Sequence, residues 1–454
     1  MSQQVEDELT GVLSRGYPSS AILTAAFERA NELASACGPG ERLGLVDTRD
    51  EATLVNLLAG IFAQRSIAML GVGEVTDGVR ELASRAQCPV ILRGAETDHF
   101  AYGPDPTASP RFGRSESDSP EAILLFTSGT TGVPKGVRLS RANVLSNLTA
   151  MLRITDEWTE DDRLGQVLTI SHSFGLSMAL MAIARGTHIV VLPDGAPGRA
   201  LSDAISEHGV TTFACVPYFL RLMARRGIQL GGASAPSIRR LFLAGGGLAD
   251  DEIDQLLPEL NGPLYLMYGF TETTARAAVR RHGDGAPSGS VGLPLPGTHI
   301  DVVSPVGEVL PVRAEGLIRA AGPSLMIGYL GEPPRAPGEP VTTSDLGRVD
   351  DAGNLFITGR EVEMMNFRGN RVSVVRIEAQ AMRVDGVVDA RAIPDSRSED
   401  AQCVLKVVLT EDADMTAVRR GLIATVDPRG IIRTVELVDS LPKTRSGKAI
   451  RYGA

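Results

Sequence analysis

The stretch Leu124-Leu-Phe-Thr-Ser-Gly-Thr-Thr-Gly-Val-Pro-Lys-Gly136 joins an apolar run to a segment of hydroxyl side chains, glycines and one lysine. The apolar run predicts a buried strand, and the glycines predict a loop. Backbone N–H groups freed by glycine, the hydroxyls and the Lys135 ammonium are suited to surround phosphate oxygens. It is not a Walker loop, because Lys135 follows proline and precedes Gly136 rather than Ser or Thr. The stretch therefore predicts a phosphate-binding loop after a buried strand.

On both sides of this stretch, short apolar strand patterns alternate with helical patterns. The clearest strand patterns are Leu43–Val46, Ile67–Leu70, Ala122–Thr127 and His188–Leu192. The clearest helical patterns are Ala21–Cys37, Ala52–Gln64, Arg141–Leu152 and Leu201–Glu207. Such alternation predicts an α/β fold in which parallel sheets are covered by helices.

The last third of the chain has a different pattern. Residues 300–358 are rich in strand patterns such as Gly316–Ala320 and are punctuated by Gly and Pro, which predicts a β-rich subdomain. Residues 364–454 have strand and helix patterns of their own, which predicts a small α+β domain. We therefore expect a large amino-terminal domain over residues 1–359, with its β-rich part at the end, and a carboxy-terminal domain over residues 364–454.

Composition limits the class of protein. A chain of 454 residues predicts at least two domains, and 43 % hydrophobic residues with a mean hydropathy of +0.03 are typical of a globular protein. A net charge of −10 argues against nucleic acid and anionic membranes as partners. Charged residues interrupt the apolar stretches, so no membrane span is predicted. Four scattered cysteines and an acidic amino terminus predict a reducing, cytoplasmic location without a secretory signal.

Lysine is rare in this chain. Only four of the 45 basic residues are lysine: Lys135, Lys406, Lys443 and Lys448. Arginine offers a planar fork and lysine a compact ammonium, so a chain biased toward arginine keeps lysine mainly where arginine does not serve. Three of the four lie in two segments rich in Gly, Ser and Thr, which indicates that these segments carry chemistry.

The run TSGTTGVPKG resembles the phosphate-binding signature of the acyl-adenylate-forming superfamily of AMP-dependent synthetases and ligases. This superfamily includes acyl-CoA synthetases, acyl-carrier-protein ligases, the adenylation domains of peptide synthetases and firefly luciferase. The resemblance extends over about residues 25–451. It implies that ATP contacts Thr127, Ser128, Gly129, Thr130, Thr131, Gly132 and Lys135.

Further segments match other signatures of the superfamily in the same order. Tyr268-Gly-Phe-Thr-Glu272 resembles a segment in which the tyrosine stacks on adenine, the threonine meets the α-phosphate and the glutamate holds Mg²⁺. The resemblance thus implies that Thr271 and Glu272 are catalytic, with Glu272 as the metal ligand. It also implies ATP contacts from Gly245, Gly246, Gly247, Tyr268 and Gly269, and ribose contacts from Asp345 and Arg360.

The resemblance implies that the carboxy-terminal domain is mobile. It also implies that this domain serves both half-reactions, the formation of the acyl-adenylate and the transfer of the acyl group to a thiol. Lys448 matches the lysine that orients the carboxylate and the α-phosphate, and Gly369 matches a glycine that lines the phosphopantetheine tunnel. At the position of the usual polar hinge residue this chain has Val362, followed by Glu363. The hinge residue therefore stays open between Glu361, Val362 and Glu363.

The acid pocket is implied by Ser171-His-Ser-Phe-Gly175, which resembles the segment of fatty-acyl and carrier-protein acyl ligases. Substrate contacts are implied for His172, Phe174 and Gly175, although His172 also fits a hydrogen-bonded structural histidine. Members that activate amino acids usually place an aspartate here to pair the α-ammonium. None is present in this segment, so an acid without an α-amino group is expected.

These residue types fit the reaction that the resemblance implies. A carboxylate that attacks an α-phosphate brings two anions together, so the site must supply positive charge and fixed donors. We expect ATP, Mg²⁺ and a pantetheine thiol, on coenzyme A or on an acyl carrier protein, to be used with a small carboxylic acid. The alternatives are an adenylating ligase with a non-thiol acceptor and a non-catalytic regulator that binds nucleotide or acyl groups.

Overall fold

The computed structural model describes most of the chain. The described residues are Leu9 and Leu13 with 20–37, 41–99, 121–127, 134–193, 198–233, 235–361, 364–367, 370–394, 402–410 and 413–442. They form two compact units, the first comprising 1–300 with 320–341 and the second 301–319 with 342–454. The run 103–120 is rich in Pro, Ser and Asp, which predicts a loop, and it lies outside the described residues.

The first unit contains two seven-stranded sheets. The first sheet has the order β16-β6-β5-β2-β1-β3-β4 and the second has the order β13-β12-β11-β10-β9-β7-β8. Strands of the first sheet are β1 (Arg42–Asp47), β2 (Ser66–Val72), β3 (Val90–Arg93), β4 (Glu96–His99), β5 (Glu121–Thr127), β6 (Lys135–Ser140) and β16 (Gly328–Tyr329). Strands of the second are β7 (Arg163–Gln166), β8 (His188–Val191), β9 (Thr212–Cys215), β10 (Arg240–Ala244), β11 (Leu264–Tyr268), β12 (Ala278–Arg281) and β13 (Leu293–Pro294).

Parallel pairing dominates the middle of both sheets. In the first sheet β5, β2, β1 and β3 are parallel, and in the second β8, β7, β9, β10 and β11 are parallel. The helices between them are α1 (Ser20–Ala36), α2 (Glu51–Phe62), α3 (Asp77–Arg85), α4 (Arg141–Ile154), α5 (Ser173–Arg185), α6 (Arg199–Glu207), α7 (Pro217–Arg225) and α8 (Asp250–Leu256). The predicted α/β class is confirmed.

Helix α5 lies at the centre of the first unit. Its residues from Gly175 to Ile183 are all buried, as expected for a helix with apolar or small side chains on every face. It ends at Gly186, whose φ of 73° provides the left-handed cap. Among the described residues α5 belongs to a large apolar cluster, and it follows β7 of the second sheet along the chain.

The second unit has an α+β composition. It contains a sheet of β14 (His299–Val303), β15 (Gly316–Ala321), β17 (Val341–Val349) and β18 (Leu355–Arg360), and a hairpin of β19 (Met364–Phe367) and β20 (Asn370–Ser373). A third sheet of β21 (Val387–Pro394), β22 (Cys403–Leu409) and β23 (Ile432–Leu437) packs with α9 (Val374–Ala381) and α10 (Met415–Thr425). The second unit thus contains most of the β-rich strands together with the carboxy-terminal residues. The sequence instead predicts a domain boundary between residues 359 and 364, and that boundary stays a prediction.

The state of the cysteines and the character of the helices can also be read from the structure. All four cysteines are free and buried, and burial raises the pKa of Cys88 to about 12. Of the helices that the structure describes, none combines the length and the apolar character that crossing a membrane requires.

Candidate active site

The predicted phosphate-binding loop lies between two paired strands. Thr127 ends β5 and pairs in register with Lys135, which begins the antiparallel β6. The Thr127 hydroxyl donates to the Lys135 carbonyl at 3.5 Å, and the Lys135 side chain is exposed. Ser128, Gly129, Thr130, Thr131 and Gly132 lie outside the described residues. Strand pairing therefore holds the two ends of the loop side by side, and phosphate binding by the loop stays a prediction.

Lys135 lies above an aromatic side chain from a distant part of the chain. The short strand β16 pairs with β6, and it places the Tyr329 ring 5.1 Å from the Lys135 Nζ. A cation over an aromatic face is attracted by the ring quadrupole. The contact holds the Lys135 stem near the mouth of the loop.

Tyr329 also contacts the predicted metal ligand. Its hydroxyl donates to Oε1 of Glu272 at 2.8 Å, and the Met326 amide donates to the Glu272 carbonyl at 2.8 Å. Burial, and then the charge and hydrogen bond of Glu272, raise the pKa of Tyr329 above its ordinary value. Tyr329 therefore remains a neutral donor at physiological pH. Glu272 and Lys135 are thereby linked through one tyrosine.

The donor set around Glu272 fits a magnesium ion that is also held by phosphates. Among the described residues no group of three or more His, Cys, Asp or Glu side chains could hold a metal by itself. Mg²⁺ at phosphate sites is held by one or two carboxylates with water and phosphate oxygens, so a single glutamate suffices. Within the described chain, Oε2 of Glu272 has no protein donor, which leaves this oxygen for a cation.

The loop that carries Glu272 folds tightly back on β11. A Cβ at Gly269 would lie 2.0 Å from the Ala275 carbonyl oxygen, so only glycine fits there. Thr274 and Ala275 have φ values of 57° and 91°, a region that non-glycine residues rarely adopt. Glycine at 269 is thus explained by backbone packing, and its expected ATP contact stays a prediction.

The strand ends of the second sheet bring several predicted residues to one edge. β10 and β11 are parallel neighbours, so Gly245 and Tyr268 lie at the same carboxyl edge. Ligands of open α/β sheets bind at this edge. A Cβ at Gly247 would meet no atom of the described residues within 4 Å, while one at Gly246 would lie 3.3 Å from Pro217. These glycines are exposed, and an adenine contact by them and by Tyr268 stays a prediction.

The predicted acid segment also begins at this edge, because it follows β7 and opens α5. His172 is exposed and occupies the position before the first helical residue, and Phe174 is half-buried. A Cβ at Gly175 would lie 2.1 Å from the Thr169 carbonyl oxygen. Glycine at 175 is required by this close approach, and substrate contact by these residues stays a prediction.

The predicted ribose contacts form an ion pair in the second unit. Arg360 donates from Nε to Oδ1 of Asp345 at 2.6 Å, across the antiparallel pair β17 and β18. Asp345 is buried, whereas the Arg360 side chain is 54 % exposed. The pair fixes the carboxylate in one orientation. The remaining predicted residues of this unit, Gly369 and Lys448, lie outside the described residues, as do Val362 and Glu363.

Sequence reasoning missed Tyr329 and Asn147. Asn147, buried on α4, donates to the carbonyls of Thr273 at 3.1 Å and Arg276 at 2.8 Å and so holds the loop after Glu272. Neither residue belongs to a recognisable motif. The Gly328-Tyr329 pair is too short to predict a strand, and Asn147 is one polar residue on an otherwise ordinary helix.

Comparison with known proteins identifies the family of this chain. The family model described as AMP-binding enzyme matches residues 70–330, which is more than half of the chain. 4-Coumarate–CoA ligase-like 8 of Arabidopsis thaliana is 29 % identical over 346 residues, covering 73 % of this chain and 62 % of that protein. Fatty acid–[acyl-carrier-protein] ligase ScoC of Streptomyces coeruleorubidus is 29 % identical over 349 residues, covering 74 % and 66 %.

A solved structure shares the fold. ATP-bound MatB from Rhodopseudomonas palustris superposes with a TM-score of 0.75 at 24 % identity, covering 95 % of this chain and 91 % of that one. The matched region spans less than two thirds of the plant relative's length. The family model, the relatives and the fold agree with the motifs, and this chain belongs to the family of AMP-binding enzymes.

Proposed function

We propose that this protein joins a carboxylic acid to AMP and then transfers the acyl group to a phosphopantetheine thiol. In the first step the acid's carboxylate attacks the α-phosphorus of ATP, and the bond to pyrophosphate breaks. In the second step the thiol attacks the acyl carbon, and AMP leaves with the electron pair. The observation that carries the proposal is the linked set of Lys135, Tyr329 and Glu272 beside the phosphate-binding loop.

The residues of the first unit supply charge and orientation in the adenylating step. Lys135 and the loop donors bind the phosphate oxygens, and the Thr271 hydroxyl lies beside Glu272 to contact the α-phosphate. Mg²⁺, when bound, neutralises the polyphosphate as pyrophosphate departs. Tyr329 donates to one oxygen of the Glu272 carboxylate and so orients it, and the second oxygen would be the one to hold Mg²⁺. Gly245–Gly247 and Tyr268 provide the adenine site.

Residues of the second unit complete the reaction. Asp345 accepts from the ribose hydroxyls and Arg360 holds it in place. Lys448 places its ammonium between the attacking carboxylate and the phosphate, and Gly369 lines the path of the thiol. Lys448 and Gly369 belong to one domain and serve different steps. This supports a rotation of that domain about the link 360–363, which would present the two residues in turn.

The class of acid substrate is inferred from the segment Ser171–Gly175, and the acceptor of the acyl group is inferred from the names of the relatives. Ser171–Gly175 contains no carboxylate, so the substrate has no α-ammonium to neutralise. The relatives' names include coenzyme A and acyl carrier protein as acceptors, and both carry phosphopantetheine. A reducing cytoplasmic compartment fits four free, buried thiols.

The test is acid-dependent exchange of pyrophosphate into ATP, followed by assays with coenzyme A and with a holo acyl carrier protein. Exchange with simple acids and thioester formation with either acceptor are expected. Exchange without thioester formation would favour a non-thiol acceptor. Nucleotide binding with no exchange for any acid would favour a regulator and overturn the proposal.

A further inference from the structure

Arg276 is a buried cation with no anionic partner among the described residues. The residue is 1 % exposed, and its Nε atom has no hydrogen-bond partner. Burial lowers the pKa of its guanidinium to about 9, so it remains charged at neutral pH. An uncompensated charge in an apolar interior is strongly unfavourable, because its hydration is lost without replacement.

The other buried arginines of the described chain have oxygen partners. Carboxylates pair with four of them: Arg138 with Glu121, Arg240 with Asp162, Arg280 with Asp250 and Arg391 with Glu378. Backbone carbonyls accept from the other two, Arg65 and Arg141. Among the described residues, the side chain of Arg276 instead has a single hydrogen-bond contact, from Nη2 to the Met178 sulfur at 3.2 Å. A thioether is a weak acceptor that does not balance a charge.

The contact places the guanidinium beside the predicted acid pocket. Met178 and Phe174 are one helical turn apart on α5, so they occupy the same face. The Arg276 backbone follows directly after Thr274 and Ala275, the two residues with positive φ. Strained backbone persists where the surrounding structure holds it, often at functional sites. Here the loop that carries Glu272 is bent so that Arg276 reaches the α5 face.

We propose that Arg276 binds a second carboxylate at the far end of the acid substrate, so that the enzyme activates dicarboxylic acids. The inference rests on the proposed function and names its substrate class. The flexible Met178 side chain moves aside, and the planar guanidinium receives the distal carboxylate in a bidentate pair. The other carboxylate is then the one that attacks ATP. The interior charge that the protein alone leaves unpaired is neutralised when substrate binds.

The experiment uses the full chain and compares straight-chain monocarboxylic acids with the α,ω-dicarboxylic acids of equal carbon number in pyrophosphate exchange. We expect a preference in kcat/KM for a dicarboxylic acid of about 100-fold, the scale of losing one partner of a buried charge pair. Arg276→Met should remove this preference. Arg276→Lys, which keeps the charge but not the fork, should retain part of it.

Arg280→Met is the matched control, since Arg280 is also buried on the following strand but is paired with Asp250. It should lower the melting temperature and leave the acid preference unchanged. Arg276→Met should melt no lower than the parent protein, because removing an unpaired buried charge relieves a cost. Loss of folding in Arg276→Met would show a structural arginine and overturn the inference.

The two proposals fail in distinguishable ways. Exchange with monocarboxylic acids but not with dicarboxylic acids overturns this inference and leaves the adenylating function intact. A dicarboxylate preference that survives in Arg276→Met also overturns it. Absence of exchange with every acid in both series overturns the proposed function and this inference together.

Discussion

The hydroxyl of Tyr329 donates a 2.8 Å hydrogen bond to the Glu272 carboxylate, across 57 residues of sequence. The same ring lies under the Lys135 ammonium. One aromatic side chain thus positions both the expected metal ligand and the lysine of the phosphate-binding loop.

Removing the Tyr329 hydroxyl should weaken magnesium use without unfolding the protein. Tyr329→Phe leaves the Glu272 carboxylate free to rotate, so we expect pyrophosphate exchange to need more Mg²⁺ and to fall by about 10-fold or more. Tyr265→Phe is the matched control, because its buried hydroxyl donates to Glu157. That variant should lose stability with an unchanged Mg²⁺ requirement. An equal Mg²⁺ dependence in both variants would contradict the role of Tyr329.

Glu272→Gln should remove the metal ligand itself. Several kcal/mol of transition-state stabilisation should be lost, judged from the general size of metal catalysis. The double variant with Tyr329→Phe should be little worse than Glu272→Gln alone, because both substitutions act on one carboxylate. Near-normal exchange by Glu272→Gln would exclude this residue as the ligand.

Gly175 and Gly247 differ in what surrounds them: Gly175 lies against the backbone of another turn, whereas Gly247 faces open space among the described residues. Gly175→Ala should lower the melting temperature or shift the first turn of α5, because its Cβ would lie 2.1 Å from a carbonyl oxygen. Gly247→Ala should leave stability unchanged, since in the described part of the chain its Cβ meets no atom within 4 Å. If adenine lies against Gly247, the KM for ATP should rise several-fold in that variant. An unchanged KM would place adenine elsewhere.

Glu121 should make stability depend on acid pH. Its burial alone would raise its pKa, but Arg42, with its charge and hydrogen bond, together with Arg138 and Ser66 lowers the pKa from 4.5 to about 2. A lowered folded-state pKa adds stability that is fully present above pH 4.5 and is lost as the pH falls toward 2. By linkage this is about 3 kcal/mol at most.

Glu121→Gln should therefore reduce stability at neutral pH and flatten its loss between pH 5 and pH 2, measured by urea unfolding at several pH values. Glu74→Gln, at an exposed ion pair with Arg93, is the control and should change little. The same acid slope in Glu121→Gln as in the parent protein would show that other carboxylates dominate.

Substitutions at two positions of the carboxy-terminal domain should each abolish one half-reaction and spare the other. Lys448→Ala should abolish adenylation and spare thioester formation from supplied acyl-AMP. Gly369→Trp should fill the thiol path and do the reverse. The measurement is an assay of each half-reaction in each variant. Equal loss of both half-reactions in each variant would rule out a carboxy-terminal domain that alternates between two orientations.

Much of the fold and several site segments follow from local sequence patterns. Alternation of apolar strands and helices predicts parallel sheets, because each short strand must be buried on both faces by the helices beside it. The loop after Leu124–Thr127 and the Tyr268–Glu272 segment were predicted because residue type and spacing are themselves the chemical signal. The strand β5 and the helix α4 agree with those patterns.

Tertiary structure alone decided which distant residues complete the site. Tyr329 reaches Glu272 because the two-residue strand β16 pairs with β6, and no local pattern encodes a pairing over such a separation. The need for glycine at 269 and 175 comes from carbonyl oxygens of other turns, which exist only in the folded chain. Arg276 has the sequence appearance of an ordinary surface cation. Only burial against Met178 reveals it as a charge with no anionic partner among the described residues, since desolvation is a property of packing and not of residue type.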